Sequence, residues 1–253
     1  MTLVSLIRTR LRRHVPQQLR RLAAQLRRRA SDARSPAKFA FTTVQENSAA
    51  LADFICAIEV VQPIRRTARF DGKMHNIALA VSRLNALCLG PSQAVSFWQA
   101  VGVPSPKNGF QLGRGIVGDR LSADVGGGLC QIASLLYELG LRGGCVVMER
   151  HPHSRDLYTE DNRFTPLGLD ATVVWGFKDV RIGNPHPHRI VFAFDVNGET
   201  LRGRLYSEAP IPVLELELSR RDDGTIRTAE VRVRASDGHT ASVSRDAYTI
   251  DPT

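Results

Sequence analysis

The 253-residue sequence has few cysteines and no long apolar run. Its four cysteines show neither CxxC spacing nor the dense framework of a disulfide-rich secreted domain. Reduced thiols suit a cytoplasmic protein, and we interpret Cys56, Cys88 and Cys145 as small core residues. No stretch approaches the roughly 20 apolar residues that a membrane-spanning helix needs. We therefore expect no transmembrane helix.

Acidic residues are scarce in the first 38 positions, which carry eleven Arg or Lys and one acid, Asp32. The whole chain has 34 basic and 25 acidic residues, so 23 basic and 24 acidic residues remain from Phe39 onward. The net charge of +9 therefore belongs to the N-terminal segment. Residues 1–30 also lack the apolar stretch of about 7–15 residues of a secretory signal. We predict a cytoplasmic location, with attachment to the inner membrane face as an option.

The basic segment has a helical pattern. Residues 2–30 place apolar side chains at three- and four-residue steps with arginines between them, which predicts an amphipathic helix interrupted near Pro16. Such a helix suits an anionic membrane surface, and the alternative is a solvated extension. Nucleic acid is not an expected partner, because no aromatic interleaving or recognised module accompanies the arginines.

The patterns divide the chain into a basic amphipathic extension (1–38), an α+β domain (39–206) and a β-rich C-terminal extension of that domain (207–253). Within the domain, residues 73–89 predict a helix and residues 102–128 predict a long glycine-rich loop.

Strand signals dominate the last third of the chain. Asn197-Gly198 predicts a tight hairpin, and alternating residues on both sides of Asp222-Asp223-Gly224 predict a second strand pair. The predicted fold class is α+β, with a cysteine-bearing helix packed on a mostly antiparallel sheet.

The run Gly126-Gly127-Gly128-Leu129-Cys130-Gln131 stands where a helix is predicted to begin. Glycines allow backbone conformations closed to other residues and close approach of another molecule. A cysteine in the first helical turn meets unpaired amide N–H groups and the positive end of the helix dipole. Both favour the thiolate, which is the nucleophilic form. The motif therefore predicts Cys130 as a nucleophile.

A candidate base and a candidate carboxylate to orient it follow Cys130 in the sequence. Arg150-His151-Pro152-His153-Ser154 comes after a predicted strand at 145–148, and Asp170 stands in a predicted strand at 169–175. The order cysteine, histidine, aspartate is that of cysteine acyl-transfer enzymes of the papain and transglutaminase types.

Residues 70–194 resemble the VanW family, which is named for an accessory protein of glycopeptide-resistance gene clusters. The resemblance is carried by the following residues: Leu84-Asn85, Gly90-Pro91, Val95-Ser96-Phe97-Trp98, Gly126–Gln131, Glu149–Ser154, Gly168–Thr172, Asp179 and Asn184. Some multidomain members of the wider family act as L,D-transpeptidases through a catalytic cysteine. The resemblance thus implies acyl transfer on peptidoglycan-type peptides or their precursors, by a transpeptidase-like or an amidase or peptidase reaction.

The resemblance also favours His153 over His151 as the base, since the family pattern keeps the histidine before the Ser154 position. Asp170 would fix the tautomer of His153. Oxyanion donors would be backbone N–H groups near Gly128 and Cys130, or the side chain of Gln131. The predicted substrate-binding residues are Arg150, His151, Ser154 and Tyr158.

Other interpretations remain open from the sequence. Cys130 is alternatively a packed capping residue, and Arg150 a structural ion-pair partner. Zinc ligation by Cys130, His151, His153 and Asp170 would use acceptable ligands at an untypical spacing, and we predict no metal and no cofactor. His186 and His188 receive no role. The alternative function is a non-catalytic binding protein for cell-wall precursors or membranes, linked to glycopeptide resistance.

Overall fold

The computed structural model describes residues 16–34, 38–43, 51–117, 120–156 and 163–250. The α-helices within these ranges are α1 (Gln17–Asp32), α2 (Phe70–Leu84), α3 (Phe97–Val101) and α4 (Leu129–Arg142). The strands within them are β1 (Lys38–Phe39), β2 (Thr42–Thr43), β3 (Ile55–Pro63), β4 (Leu87–Leu89), β5 (Gln93–Ser96), β6 (Leu112–Val117), β7 (Arg120–Val125), β8 (Val146–Glu149), β9 (Arg155–Asp156), β10 (Arg181–Gly183), β11 (Ile190–Asn197), β12 (Thr200–Ser207), β13 (Glu215–Asp222), β14 (Ile226–Arg234) and β15 (Thr240–Ile250).

The strands form three sheets and one separate hairpin. A five-stranded sheet has the order β2-β4-β11-β12-β3, a second sheet has the order β1-β5-β10-β8, and the C-terminal sheet has the order β13-β14-β15-β9. Strands β6 and β7 form the separate hairpin. Pairing is antiparallel except between β1 and β5 and between β9 and β15. The fold is therefore α+β with mostly antiparallel sheets, as predicted.

Helix α4 packs directly on the five-stranded sheet. A Cβ at Gly203 of β12 would lie 2.8 Å from Leu139 Cδ1 and 2.9 Å from Leu135 Cδ2. The absence of a side chain at Gly203 thus lets the helix approach the sheet. Leu135 and Leu139 are fully buried in a core shared with α2 and the second sheet.

Backbone contacts fix the glycine loop before α4. Gly127 lies so close to β6 that an added Cβ would be 2.4 Å from the carbonyl carbon of Gly113. On the other side, the buried Asn76 of α2 donates through Nδ2 to the carbonyls of Gly127 and Gln111, at 3.0 and 2.9 Å. The loop is therefore held between α2 and the hairpin, which sets the start of α4.

Several local predictions are wrong. The helix predicted over 73–89 ends at Leu84, and Ala86 has a φ of 52°. The apolar residues after it form β4, which pairs with β11 in the sheet. The loop predicted over 102–128 contains the β6–β7 hairpin. The expected core residue Cys56 is exposed, whereas Cys88 and Cys145 are buried as predicted.

The strand predicted over 169–175 is also wrong. This segment has only an isolated bridge, from Val174 to Lys178. Its amides bond to the core by other means: Ala171 N–H donates to Ser134 Oγ at 2.8 Å, and Thr172 N–H donates to the His151 carbonyl at 2.7 Å. These partners satisfy its backbone without a neighbouring strand.

Helix α1 contacts the domain through its polar side. Arg28 forms two hydrogen bonds to Glu149, at 2.5 and 2.6 Å, and Asp32 forms two to Arg181, both at 2.7 Å. Leu19, Leu22 and Leu26 are more than half exposed on the outer side. Among the described residues, no helix is both long and apolar enough to cross a membrane.

We expect Gly127→Ala to lower the free energy of unfolding by about 2–4 kcal/mol, because the new Cβ would overlap the Gly113 carbonyl. Denaturant unfolding measures this loss. Gly224→Ala is the control, since that site has open space and only a positive φ of 88°, so it should cost about 1 kcal/mol. Equal losses in both variants would contradict the close approach of the glycine loop.

Candidate active site

Cys130, His153 and Asp170 lie together in the structure. Nδ1 of His153 is 2.7 Å from Oδ2 of Asp170, which also accepts the backbone N–H of His153 at 2.8 Å. The charge of the His153 imidazole also acts on the Cys130 thiol and lowers its pKa. The side chains of His153 and Asp170 are 10% and 7% exposed, and Cys130 is half-buried. The carboxylate and the imidazole are therefore hydrogen-bonded, and the thiol lies within electrostatic reach of the imidazole.

Helix α4 aligns the thiol with the aspartate segment. Cys130 and Ser134 are one turn apart on the same face of the helix. Ser134 Oγ accepts the Ala171 N–H at 2.8 Å, and it donates to the Cys130 carbonyl at the same distance. The Thr172 hydroxyl lies 3.8 Å from Cys130 Sγ. Ser134 thereby anchors the segment that carries Asp170 and Thr172 against the first turn of α4.

The charges at the site favour an ion pair. Burial raises the pKa of the Cys130 thiol, but the hydrogen bond and positive charge of His153 outweigh it, and the pKa is lowered overall. Burial lowers the pKa of His153, yet its bonds to Asp170 and Cys130 raise it to about 10. Burial likewise opposes ionisation of Asp170, while His153 and Arg150 hold its pKa well below the ordinary range. Between the thiol and imidazole pKa values the pair is thiolate and imidazolium.

Three donors surround the second carboxylate oxygen of Asp170, Oδ1. The Tyr248 hydroxyl donates to Oδ1 at 2.6 Å, and the Gly168 N–H and Arg150 Nη2 approach it at 3.3 Å. The Gly168 N–H also donates to the Tyr248 hydroxyl at 3.0 Å. Tyr248 is fully buried, so its ring separates this side of Asp170 from solvent.

Arg150 lies beneath the aspartate segment. Its guanidinium donates to the carbonyls of Asp170 and Gly168, pairs with the Asp246 carboxylate and lies over the Tyr137 ring at 5.0 Å. The side chain is 6% exposed. These contacts match the structural ion-pair alternative, and they leave no exposed guanidinium for a substrate.

The two histidines of the motif point to different partners. His151 Nε2 is 2.9 Å from Glu149 Oε1, in the cluster where α1 docks. Ser154 is exposed beside His153, and its carbonyl accepts the Thr249 N–H at 3.0 Å. Tyr158 lies outside the described residues. Within the described ranges, no group of His, Cys, Asp and Glu has an arrangement that could hold a metal ion.

The predicted oxyanion donors have different surroundings. Gln131 is buried, and one N–H of its Nε2 donates to the Pro63 carbonyl at 3.0 Å, so this side chain is engaged with β3. Gly128 is the N-cap of α4 with a φ of 105°. The N–H groups of Gly128 and Cys130 donate to no acceptor in the part of the chain that the structure describes. Of the predicted donors, these two amides are available.

Sequence reasoning missed three supporting residues: Ser134, Tyr248 and Asp246. Tyr248 and Asp246 are two residues apart in β15, so they lie on one face of the strand. The two-residue spacing can be recognised in the sequence, but nothing in the sequence indicates that this face of the strand contacts Asp170. Ser134 is one helical turn after Cys130, which is a stronger local signal.

Comparisons with known proteins agree with the resemblance. A family model described as VanW like protein matches residues 72–206. The uncharacterized protein YoaR of Bacillus subtilis is 33% identical over 135 residues, which cover 53% of this chain and 43% of that protein. The vancomycin B-type resistance protein VanW of Enterococcus faecalis is 25% identical over 138 residues, which cover 54% and 50%.

The matches cover half or less of these two curated relatives. No solved structure matches the chain significantly. The family match takes in Cys130, His153 and Asp170 but ends before Asp246 and Tyr248. Since it covers more than half of the 253 residues, this chain belongs to the family of VanW-like proteins.

Proposed function

We propose that this protein is a cysteine-dependent acyltransferase that acts on peptidoglycan-type peptides. The observation that carries the proposal is the hydrogen bond between His153 and Asp170, together with the effect of His153 in lowering the pKa of the Cys130 thiol. Its order along the chain is that of the papain and transglutaminase types. The name of the vancomycin-resistance relative supports a cell-wall peptide as the substrate class.

In the first half of the reaction, the Cys130 thiolate attacks an amide carbonyl carbon and forms a C–S bond. The imidazolium of His153 then gives its proton to the leaving amine nitrogen, and the C–N bond breaks. A thioester on Cys130 and a free amine remain. Asp170 stabilises the imidazolium and fixes its orientation through Nδ1.

In the second half, an acceptor attacks the thioester carbonyl while neutral His153 removes its proton. The C–S bond breaks, and the thiolate and imidazolium are restored. An amine acceptor gives the transpeptidase-like reaction, and water gives the amidase or peptidase reaction. In both halves the amides of Gly128 and Cys130 are the candidate donors to the developing oxyanion.

The pH dependence of alkylation tests the activated thiol. We expect Cys130 to react with iodoacetamide with a midpoint clearly below the ordinary thiol value of about 8.5. His153→Ala should raise this midpoint, because it removes the hydrogen bond and positive charge that lower the thiol pKa. Rates are read at each cysteine by mass spectrometry, with exposed Cys56 as the reference thiol.

His151→Ala is the matched control for this experiment. Its ring bonds to Glu149 and not to the thiol, so the Cys130 midpoint should not change. If the alkylation midpoint of Cys130 is that of an ordinary thiol and does not change in His153→Ala, the enzyme proposal is contradicted. The alternative binding function would then remain.

We expect Asp170→Asn to raise the Cys130 midpoint as well. An amide does not stabilise the imidazolium as a carboxylate does, so the pKa of His153 falls and the thiolate loses its counter-ion. Asp246→Asn is the control, because it breaks the same Arg150 cluster without touching His153. A midpoint that moves in both variants, or in neither, would show that Asp170 does not act through His153.

The alternative function is membrane-associated binding, and the outer side of α1 favours a membrane contact. Leu19, Leu22 and Leu26 are 55%, 52% and 56% exposed, and Arg27, which follows Leu26, is exposed as well. Apolar side chains flanked by arginines are typical of helices at anionic bilayer surfaces. We propose that α1 contacts such a surface, whether or not Cys130 is catalytic.

Vesicle sedimentation tests this contact with phosphatidylglycerol–phosphatidylcholine vesicles. The triple change of Leu19, Leu22 and Leu26 to Ser should weaken binding at least about ten-fold, because the leucines supply the buried apolar area. Leu218→Ser, at a partly exposed leucine of β13, is the control and should bind normally. Equal binding by the triple variant, or by pure phosphatidylcholine vesicles, would contradict the proposal.

A further inference from the structure

Lys73 is a buried cation beside the loop that begins the cysteine helix. It lies on α2 and is 9% exposed. Its side chain packs against Gly128, where an added Cβ would lie 2.9 Å from Lys73 Cγ. Among the described residues its ammonium has one hydrogen-bond acceptor, the Arg65 carbonyl at 3.5 Å. A buried ammonium usually has a closer and charged partner.

The backbone of Arg114 also packs against this loop. Arg114 follows Gly113 on β6, and its carbonyl oxygen would lie 2.7 Å from a Cβ on Gly127. In the described part of the chain, neither Lys73 nor Arg114 forms an ion pair with a carboxylate. Burial and the charge of Arg114 together lower the pKa of Lys73 to about 8. The two residues that pack against the loop thus carry like charges that act on each other.

Buried amides at the same end of α4 are also unsatisfied. Gln131 Oε1 has no partner among the described residues, and neither polar atom of the Gln62 amide has one. Gln131 follows Cys130 directly, and its Nε2 donates to the carbonyl of Pro63, the neighbour of Gln62. Unpaired buried groups at one place are typical of a site that receives water or a ligand.

We propose that Lys73 and Arg114 form an anion subsite beside the loop that begins α4, and that this subsite binds a carboxylate of the peptide that reacts at Cys130. The proposal rests on the proposed function, because it takes the reacting peptide as the source of the carboxylate. Cell-wall peptides of the proposed class carry free carboxylates, which the ammonium would pair with as they approach the thiol. The subsite would select acidic peptides over neutral ones.

Alkylation by reagents of different charge tests the subsite without a substrate. Iodoacetate carries a carboxylate and iodoacetamide is neutral, so the ratio of their rates at Cys130 measures the preference for an anion. Lys73→Met should lower this ratio by about five-fold, the effect of one partly screened charge nearby. The ratio at Cys56 should stay constant. His153 is present in both proteins, so the difference isolates Lys73.

Lys73→Arg keeps the charge and should keep most of the preference, and Arg114→Gln should lower it in part. Lys107→Met is the control at an exposed lysine. An unchanged ratio in folded Lys73→Met, or an equal loss in Lys107→Met, would overturn the subsite. If Cys130 has the alkylation midpoint of an ordinary thiol but the ratio of iodoacetate to iodoacetamide rates still depends on Lys73, the catalytic role of Cys130 is refuted and the anion subsite is supported.

Two acetylated dipeptides identify which carboxylate binds. N-acetyl-Ala-Gln has only a terminal carboxylate, and N-acetyl-Ala-Glu amide has only one on its side chain. Slower alkylation of Cys130 by iodoacetamide with one dipeptide, lost in Lys73→Met, shows which position the subsite takes. Equal protection by N-acetyl-Ala-Gln amide, which has no carboxylate, would overturn the proposal.

Discussion

The buried carboxylate of Asp170 is the constraint on which the site depends. An ionised carboxylate inside a protein costs several kcal/mol unless donors surround it. Here the donors come from His153, Tyr248, Gly168 and Arg150. Arg150, His153 and Gly168 lie within 20 residues of Asp170, whereas Tyr248 belongs to β15, so full satisfaction of the carboxylate requires both the family domain and the C-terminal sheet. Folding of the sheet and formation of the site are therefore coupled.

The glycine loop at residues 126–128 is the second structural constraint, because its position sets where α4 begins. A side chain at Gly113 would overlap Gly127, one at Gly127 would overlap β6, and one at Gly128 would overlap Lys73. The same close packing that orients Cys130 also presses a lysine stem against the loop.

An amphipathic helix on a domain usually packs its apolar side against the protein, whereas α1 packs its polar side there. Arg28 and Asp32 face the protein, where acidic and basic partners receive them, and the leucines face outward. Ion pairs with Glu149 and Arg181 decide this orientation, since a buried leucine face would leave those charges unmatched. His151, which shares Glu149, belongs to this contact rather than to the thiol.

Local patterns determined the fold class, the hairpin at Asn197-Gly198, the pairing of β13 with β14 and the helix that follows the glycine run, because each depends on neighbours in the chain. The proximity of Cys130, His153 and Asp170 could be anticipated only from their order and family pattern. Sequence patterns could not show that Asp170 lies in a non-strand segment, that Arg150 is buried, or that Tyr248 closes the site. Those features were decided by tertiary structure, because burial and the pairing of charges depend on contacts between distant segments.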